Sequence, residues 1–198
     1  GMASGIALRG HKVIYYNIAP FVIMRPYEQV RNDICYQELP VILVGTGSGL
    51  TYAPAGMTHY AIDDIALART CPNLDIFSPA DPIEAALCFE YAYKSEKPSY
   101  IRVPKAGEPR LHNGEKFDIT KPLVLKEGSD VLLVSHSSMV EECMRASTIL
   151  EEKNISTKVV SIPMITTDKI DEILNFNGDI FVIEEHYISG GLGTVLSE

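Results

Sequence analysis

Short apolar runs alternating with helix-length segments predict an α/β protein made of two parallel-sheet, three-layer domains. Three observations carry this reading. Apolar runs at residues 13–16, 40–44, 75–78 and 100–103 are separated by stretches that can hold crossovers. The rhythm then breaks over residues 108–128, where Pro109, Asn113, Gly114, Pro122 and Gly128 gather among charged residues. It resumes with apolar runs at 131–134, 157–162 and 180–184. The division falls at residues 1–118 and 119–198.

The elements follow in order. Residues 2–9 read as the tail of a helix, with Gly10 as its cap. Residues 13–16 read as a buried strand. A helix is expected over 27–37, just after Pro26. Residues 40–44 form the second strand. Residues 62–70 form a short helix with the Thr58 hydroxyl near its start. Residues 75–78 form the third strand. Asp81-Pro82 opens an amphipathic helix over 82–94, since a carboxylate before proline suits a helix N-terminus. Residues 100–103 form the fourth strand. After the linker, an edge strand is expected at 123–125, helices at 138–153 and 169–175, and a last helix opened by Gly190-Gly191-Leu192-Gly193. The first residues read as a helix tail and the last as a helix start, so both ends look cut short.

Composition narrows the function. The 198 residues are 46% hydrophobic, enough for one large core or two modest ones. The net charge of −9 is mixed along the chain with no long basic run, so a nucleic-acid role has no support. No apolar stretch reaches the roughly 18 residues of a membrane span. The opening Gly1-Met2-Ala3-Ser4-Gly5 has no basic region followed by an apolar run, so a secretory leader is not expected there. Cys35, Cys71, Cys88 and Cys143 are scattered without a CxxC pair. That pattern suits reduced thiols and a cytoplasmic protein rather than a metal site or disulfide framework.

No nucleophile elbow, zinc motif or phosphate loop is present. Gly45-Thr46-Gly47-Ser48-Gly49 follows a strand, but lacks both a third glycine at dinucleotide spacing and a following lysine. The specific signal is an ordered series. It runs Gly5-Ile6-Ala7-Leu8-Arg9-Gly10, Ala19-Pro20-Phe21, and Met24-Arg25-Pro26-Tyr27-Glu28-Gln29-Val30-Arg31-Asn32-Asp33. Gly56-Met57-Thr58-His59, Asp63-Asp64-Ile65-Ala66, Cys71-Pro72-Asn73, Ser78-Pro79-Ala80-Asp81-Pro82 and Ile101-Arg102-Val103-Pro104 follow. This series resembles the pyrimidine-binding domain of transketolases, most nearly the C-terminal section of a split transketolase, with deoxyxylulose phosphate synthase a more distant relative. Glu184-Glu185-His186 and Gly190-Gly191-Leu192-Gly193 are similar to the start of the transketolase C-terminal domain.

The resemblance implies a thiamine diphosphate enzyme that moves a two-carbon ketol unit between sugar phosphates. The pyrophosphate and its Mg2+ would be held by a partner domain carrying a Gly-Asp-Gly motif, which this sequence lacks. The implied partner is an N-terminal-section, pyrophosphate-binding transketolase chain. The assembly would be a homodimer or heterotetramer, with the helix at 27–37 at the interface between chains. Phe21 is the implied ring against the aminopyrimidine, although a core phenylalanine after Pro20 is also consistent. Ile18 lines the same pocket, and Arg25 lies at its edge or on the surface near a helix start. His59 is the implied catalytic residue, since an imidazole can donate to a substrate carbonyl or hydroxyl and exchange a proton near neutral pH. Lys105 stands where a phosphate-binding arginine is usual and would bind phosphate as a point charge. His11, His112 and His136 have no comparable context, and His186 reads as structural.

Some positions depart from the family pattern. Ala55 replaces an aspartate that holds sugar hydroxyls, and Gly47 and Ser48 stand where a substrate-binding histidine or arginine is usual. The family's catalytic glutamate would fall just before Gly1, and Glu28, on the following helix, is no substitute. The chain is therefore expected to need a partner for catalysis. Two other readings remain: a non-catalytic α/β module for assembly or regulation, and a 2-oxoacid dehydrogenase E1 beta-like chain. The stretch Pro104-Lys105-Ala106-Gly107-Glu108-Pro109 favours the transketolase reading.

Overall fold

The computed structural model describes residues 1–105, 107–113 and 116–198, so Gly114 of the expected linker lies outside the described residues. Two four-stranded sheets are present. In the first, β1 (Val13–Ile18), β2 (Val41–Thr46), β3 (Asp75–Phe77) and β4 (Ser99–Val103) run parallel in the order β1-β2-β4-β3. In the second, β5 (Leu123–Lys126), β6 (Val131–Ser135), β7 (Thr157–Ser161) and β8 (Asp179–Ile183) take the order β5-β7-β6-β8. β6, β7 and β8 are parallel, but β5 is antiparallel to β7, with a bulge between Val124 and Lys126. The edge strand expected at 123–125 is present, and it runs antiparallel for a topological reason. Residues 127–130 are too few for a parallel crossover, so the chain must reverse. It does so over the end of β7, where a Cβ on Gly128 would lie 2.2 Å from the Thr157 backbone.

Helices α1 (Met2–Ala7), α2 (Ala19–Ile23), α3 (Tyr27–Gln29), α4 (Asp64–Arg69), α5 (Pro82–Lys94), α6 (Met139–Glu151), α7 (Asp171–Leu174) and α8 (Leu192–Ser197) pack around the sheets. The helix expected at 27–37 begins as α3 and continues as a wider-turned π segment, Val30–Cys35. Its last bonds, Tyr36 N to Arg31 O and Leu39 N to Ile34 O, span five residues. Thr58 does not cap α4. Asp63 stands at the N-terminus of α4 without a side-chain cap, and the Thr58 hydroxyl instead meets the adjacent His59 Nδ1 at 2.9 Å. β1 is not a buried strand. Among the described residues β2 is its only sheet neighbour, and Ile14, Tyr15 and Tyr16 are all exposed.

One core runs beneath both sheets. Ile65, Ala68 and Ile76 of the first share a cluster with Leu132, Val134, Val160 and Leu192 of the second. Backbone bonds join the halves: Ile165 N to Ile76 O and Ser78 N to Pro163 O, both 2.8 Å. Polar side chains complete the junction. Arg102 is 1% exposed and meets the fully buried Asp64 at 2.9 Å. Its Nη2 donates to Ala61 O and to Glu185 O, while the Tyr100 hydroxyl donates to Asp64 Oδ2 at 2.7 Å. A buried ion pair survives only when its remaining hydrogen-bond capacity is met, as it is here from both halves of the chain.

Candidate cofactor and substrate site

The C-terminal edge of a parallel sheet is where ligands bind in open α/β folds, because the strand-to-helix loops gather there. In the first sheet this edge holds α2, the loop after β2 and the turn after β4. α2 starts directly from β1: Ile18 is extended (φ −62°, ψ 137°) and Pro20 sits in the first turn. Ala19, Pro20, Val22 and Ile23 are buried, whereas Phe21 is only half-buried. α2 thus spends its other residues on the core and turns its one aromatic ring outward.

The loop after β2 returns over this ring. Two tight turns, Ala53–Ala55 and Met57–His59, are joined by Gly56 at φ 83°, a left-handed backbone that favours glycine. They bring His59 edge-on to Phe21, with ring centroids 5.2 Å apart and planes at 72°. The Arg25 guanidinium lies 5.3 Å over the Phe21 ring. Phe21, Arg25 and His59 therefore form one cluster. Ile18, half-buried, is the last residue of β1 and leads directly into α2, but it is not among the residues that line the cleft beside this cluster.

Lys105 is not part of that cluster. It is exposed just beyond β4, with Nζ 5.8 Å over the ring of Tyr52. Tyr52 in turn covers Gly47, where a Cβ would lie 2.2 Å from the phenol ring. Sequence reasoning missed both Tyr52 and the Thr58 contact to His59. Thr58 does carry a signal, because a hydroxyl beside an imidazole in Gly-x-Thr-His can fix its tautomer. Tyr52 carries none, because its partners come from separate strands. His186 is tied to the scaffold: Ala66 N donates to its Nε2 at 3.3 Å, and its Nδ1 lies 2.7 Å from Tyr187 O.

A cleft of about 630 Å³ opens beside this cluster, lined by Phe21, Arg25, Asn17 and Gln29 together with apolar residues of α1 and β1. No carboxylate lines it among the described residues. Nor do the described residues contain three or more His, Cys, Asp or Glu placed to hold a metal ion. No helix among them is long and apolar enough to cross a membrane.

Residues 1–108 match the transketolase pyrimidine-binding domain, and residues 121–198 match the transketolase C-terminal domain. The chain belongs to the transketolase family. It is 37% identical, over its whole length, to an apulose-4-phosphate transketolase subunit of Actinobacillus succinogenes, and covers 65% of that protein. It is 31% identical to the 1-deoxy-D-xylulose-5-phosphate synthase of Caldanaerobacter subterraneus subsp. tengcongensis over 99% of this chain and 32% of that one. Among solved structures, a split-gene transketolase described as an inactive beta4 tetramer superposes with a TM-score of 0.90 at 31% identity, over 100% of this chain and 65% of that chain. The transketolase-family chain thus spans about 65% of the length of both transketolase relatives. The family implies thiamine diphosphate. The aminopyrimidine half of that cofactor fits what is present: a flat ring held out of the core, beside a cleft with amide and guanidinium hydrogen-bond partners.

Proposed function

We propose that this chain is the pyrimidine-binding half of a thiamine diphosphate-dependent transketolase that moves a two-carbon ketol unit between sugar phosphates. The observation that carries the reading is the Phe21–His59–Arg25 cluster at the C-terminal edge of the first sheet. When bound, thiamine diphosphate supplies the nucleophilic carbon and the electron sink. The protein's own residues bind and orient. Phe21 offers a ring face to the aminopyrimidine, and such stacking adds on the order of 1 kcal/mol beyond area burial. Arg25 packs against that ring and places a cation at the cleft mouth. The Thr58 hydroxyl, 2.9 Å from Nδ1, holds the His59 ring and leaves Nε2 to meet a substrate carbonyl or hydroxyl. Lys105, propped on Tyr52, holds a positive charge for the substrate phosphate.

The pyrophosphate, its Mg2+ and the activating carboxylate are assigned to a partner chain or to sequence outside these residues. Support for a partner comes from the Actinobacillus succinogenes relative, itself a transketolase subunit, and from the split-gene beta4 tetramer, which is inactive. The test uses the full-length protein combined with its pyrophosphate-binding partner. Phe21→Ala should raise the cofactor dissociation constant and leave the melting temperature nearly unchanged. A core ring would instead cost roughly 3–5 kcal/mol of stability. His59→Ala should lower turnover by about 10²–10⁴-fold with the cofactor still bound. Full turnover by His59→Ala with every ketose phosphate donor tested would remove His59 from the reaction.

A further inference from the structure

Cys35 and Cys71 are far apart in sequence and meet in the fold. Cys35 ends the π segment Val30–Cys35 and is fully buried. Cys71 follows the C-terminus of α4, its amide bonded to Ala68 O, and is 7% exposed. Both belong to the core cluster beneath the sheets, and each thiol lies close enough to the other to shift its ionisation. Asn73 Nδ2 donates to Cys35 O at 3.3 Å, and the Tyr27 hydroxyl lies 2.6 Å from Thr70 Oγ1, so the two segments are fastened on either side of the thiols. Cys71 also lines a surface cavity of about 330 Å³, with Arg69, Asn73 and Lys97 among its walls. A small oxidant has a route to one sulfur, and the second sulfur waits behind it.

We propose that Cys35 and Cys71 are a redox-active dithiol that a hydroperoxide converts to a disulfide. The two sulfurs are not equivalent. The neighbouring Cys35 thiol lowers the Cys71 pKa against the effect of burial, and the Arg31 charge lowers it further. The Cys35 pKa is raised, first by the neighbouring Cys71 and then by burial. Cys71 lines the cavity and Cys35 is fully buried, so Cys71 is the sulfur that meets the peroxide and attacks as the thiolate. Its sulfur takes one peroxide oxygen, the O–O bond breaks, and the departing oxygen leaves as water after protonation, giving a sulfenic acid. Cys35 sulfur then attacks the Cys71 sulfur, the S–O bond breaks, and the hydroxide leaves with the Cys35 proton as a second water. Two thiols lose two electrons and two protons, and one hydrogen peroxide becomes two waters. A dithiol reductant reverses the change. The bond would lock the π segment to the end of α4, the helix whose Asp64 anchors Arg102.

Cys88 and Cys143 are internal controls. Both are buried, burial raises both thiols (Cys143 to about 11), and neither lines the cavity beside Cys71. The experiment exposes the reduced, folded protein to hydrogen peroxide, blocks free thiols with an alkylating agent under denaturing conditions, and maps peptides by mass spectrometry. The expected result is a Cys35–Cys71 cross-link with Cys88 and Cys143 alkylated. Cys35→Ser should leave a Cys71 sulfenic acid that dimedone traps, and Cys71→Ser should leave Cys35 reduced. Melting curves confirm that each variant is folded, and a variant that does not fold is replaced by the alanine substitution at the same position. Four free thiols after treatment of the folded protein, or oxidation of Cys88 or Cys143 at the same rate as Cys71, would overturn the proposal.

Discussion

Gly47 sits just past the end of β2 with φ at +86°, a backbone that L side chains rarely adopt. The ring of Tyr52 lies where its Cβ would go. These are two separate obstacles to any side chain here. Together they keep this position closed to any side chain. The transketolase-family chain has closed that position with a phenol ring and set Lys105 against the ring's face. Gly47→Ala should therefore lower stability by roughly 1–3 kcal/mol, as for a non-glycine residue at a strained backbone position. Adding Tyr52→Ala should recover only the steric part, leaving the backbone cost of about 1–2 kcal/mol. Thermal or urea unfolding of the two variants checks this. Equal stability of Gly47→Ala and the parent would mean that neither obstacle operates.

At the scale of elements, α5 shows how one residue serves two segments. Asp81 Oδ1 accepts from Ile83 N (2.9 Å) and Glu84 N (2.7 Å), while Oδ2 accepts from Leu111 N (2.9 Å) and His112 N (3.1 Å). One buried carboxylate both caps the helix and pins the segment that leads to the second sheet. Asp81→Ala should cost about 1.5–5 kcal/mol, because a lost cap is worth about 0.5–2 and orphaned buried amides add about 1–3. Urea unfolding measures the loss, and a cost under about 0.5 kcal/mol would show that water replaces the carboxylate freely. The cap is legible from Asp81-Pro82 because capping is local, as are the strands and most helices. What is not legible is decided by distant partners. β5 points the other way because its link to β6 is short and β7 lies between them. β1 is exposed because of where it sits in the sheet. α2 leaves no mark in the sequence because its five residues are too few to show a period. In the site, Phe21, Arg25 and His59 each carry a motif signal, and the fold brings them together. Lys105's position against Tyr52, and Tyr52's over Gly47, depend on loops that only the folded chain juxtaposes.

At the scale of the whole molecule, the two halves are joined through titratable groups, so stability must depend on pH. His136 is 1% exposed at the junction, faces Ser78, Arg102, Asp64 and Glu184, and its Nδ1 lies 2.8 Å from the Ser78 hydroxyl. Burial lowers its pKa below 6.5, and the Arg102 charge adds to that, against the pull of Glu184 and Asp64. The fold holds it neutral while the unfolded chain protonates, so stability falls as pH drops from 6.5 through the folded pKa. Burial opposes the charge on Glu184, but His136 and the Gly193 and Leu192 amides at the start of α8 outweigh it and hold the group at about 2. Its contribution is complete above 4.5 and is lost as pH falls toward about 2. Asp63 and Asp75, raised mainly by burial, work in the opposite sense within the carboxylate range. His112 also works oppositely, but nearer neutrality. Burial opposes its charge, yet Glu84 at 2.8 Å and nearby Asp81 outweigh that and raise it. The stability from His112 is therefore complete below 6.5 and is lost as pH rises through its folded pKa. The limbs from His136 and His112 meet near 6.5, so the melting temperature at constant ionic strength should peak there. His112→Gln should flatten the alkaline limb and leave the acid limb in place, while Glu184→Gln should destabilise at neutral pH and flatten the limb below about 4.5. A melting temperature that rises steadily from about pH 6 to about pH 9 would show that the Glu84–His112 clasp contributes nothing to holding the linker against the first sheet.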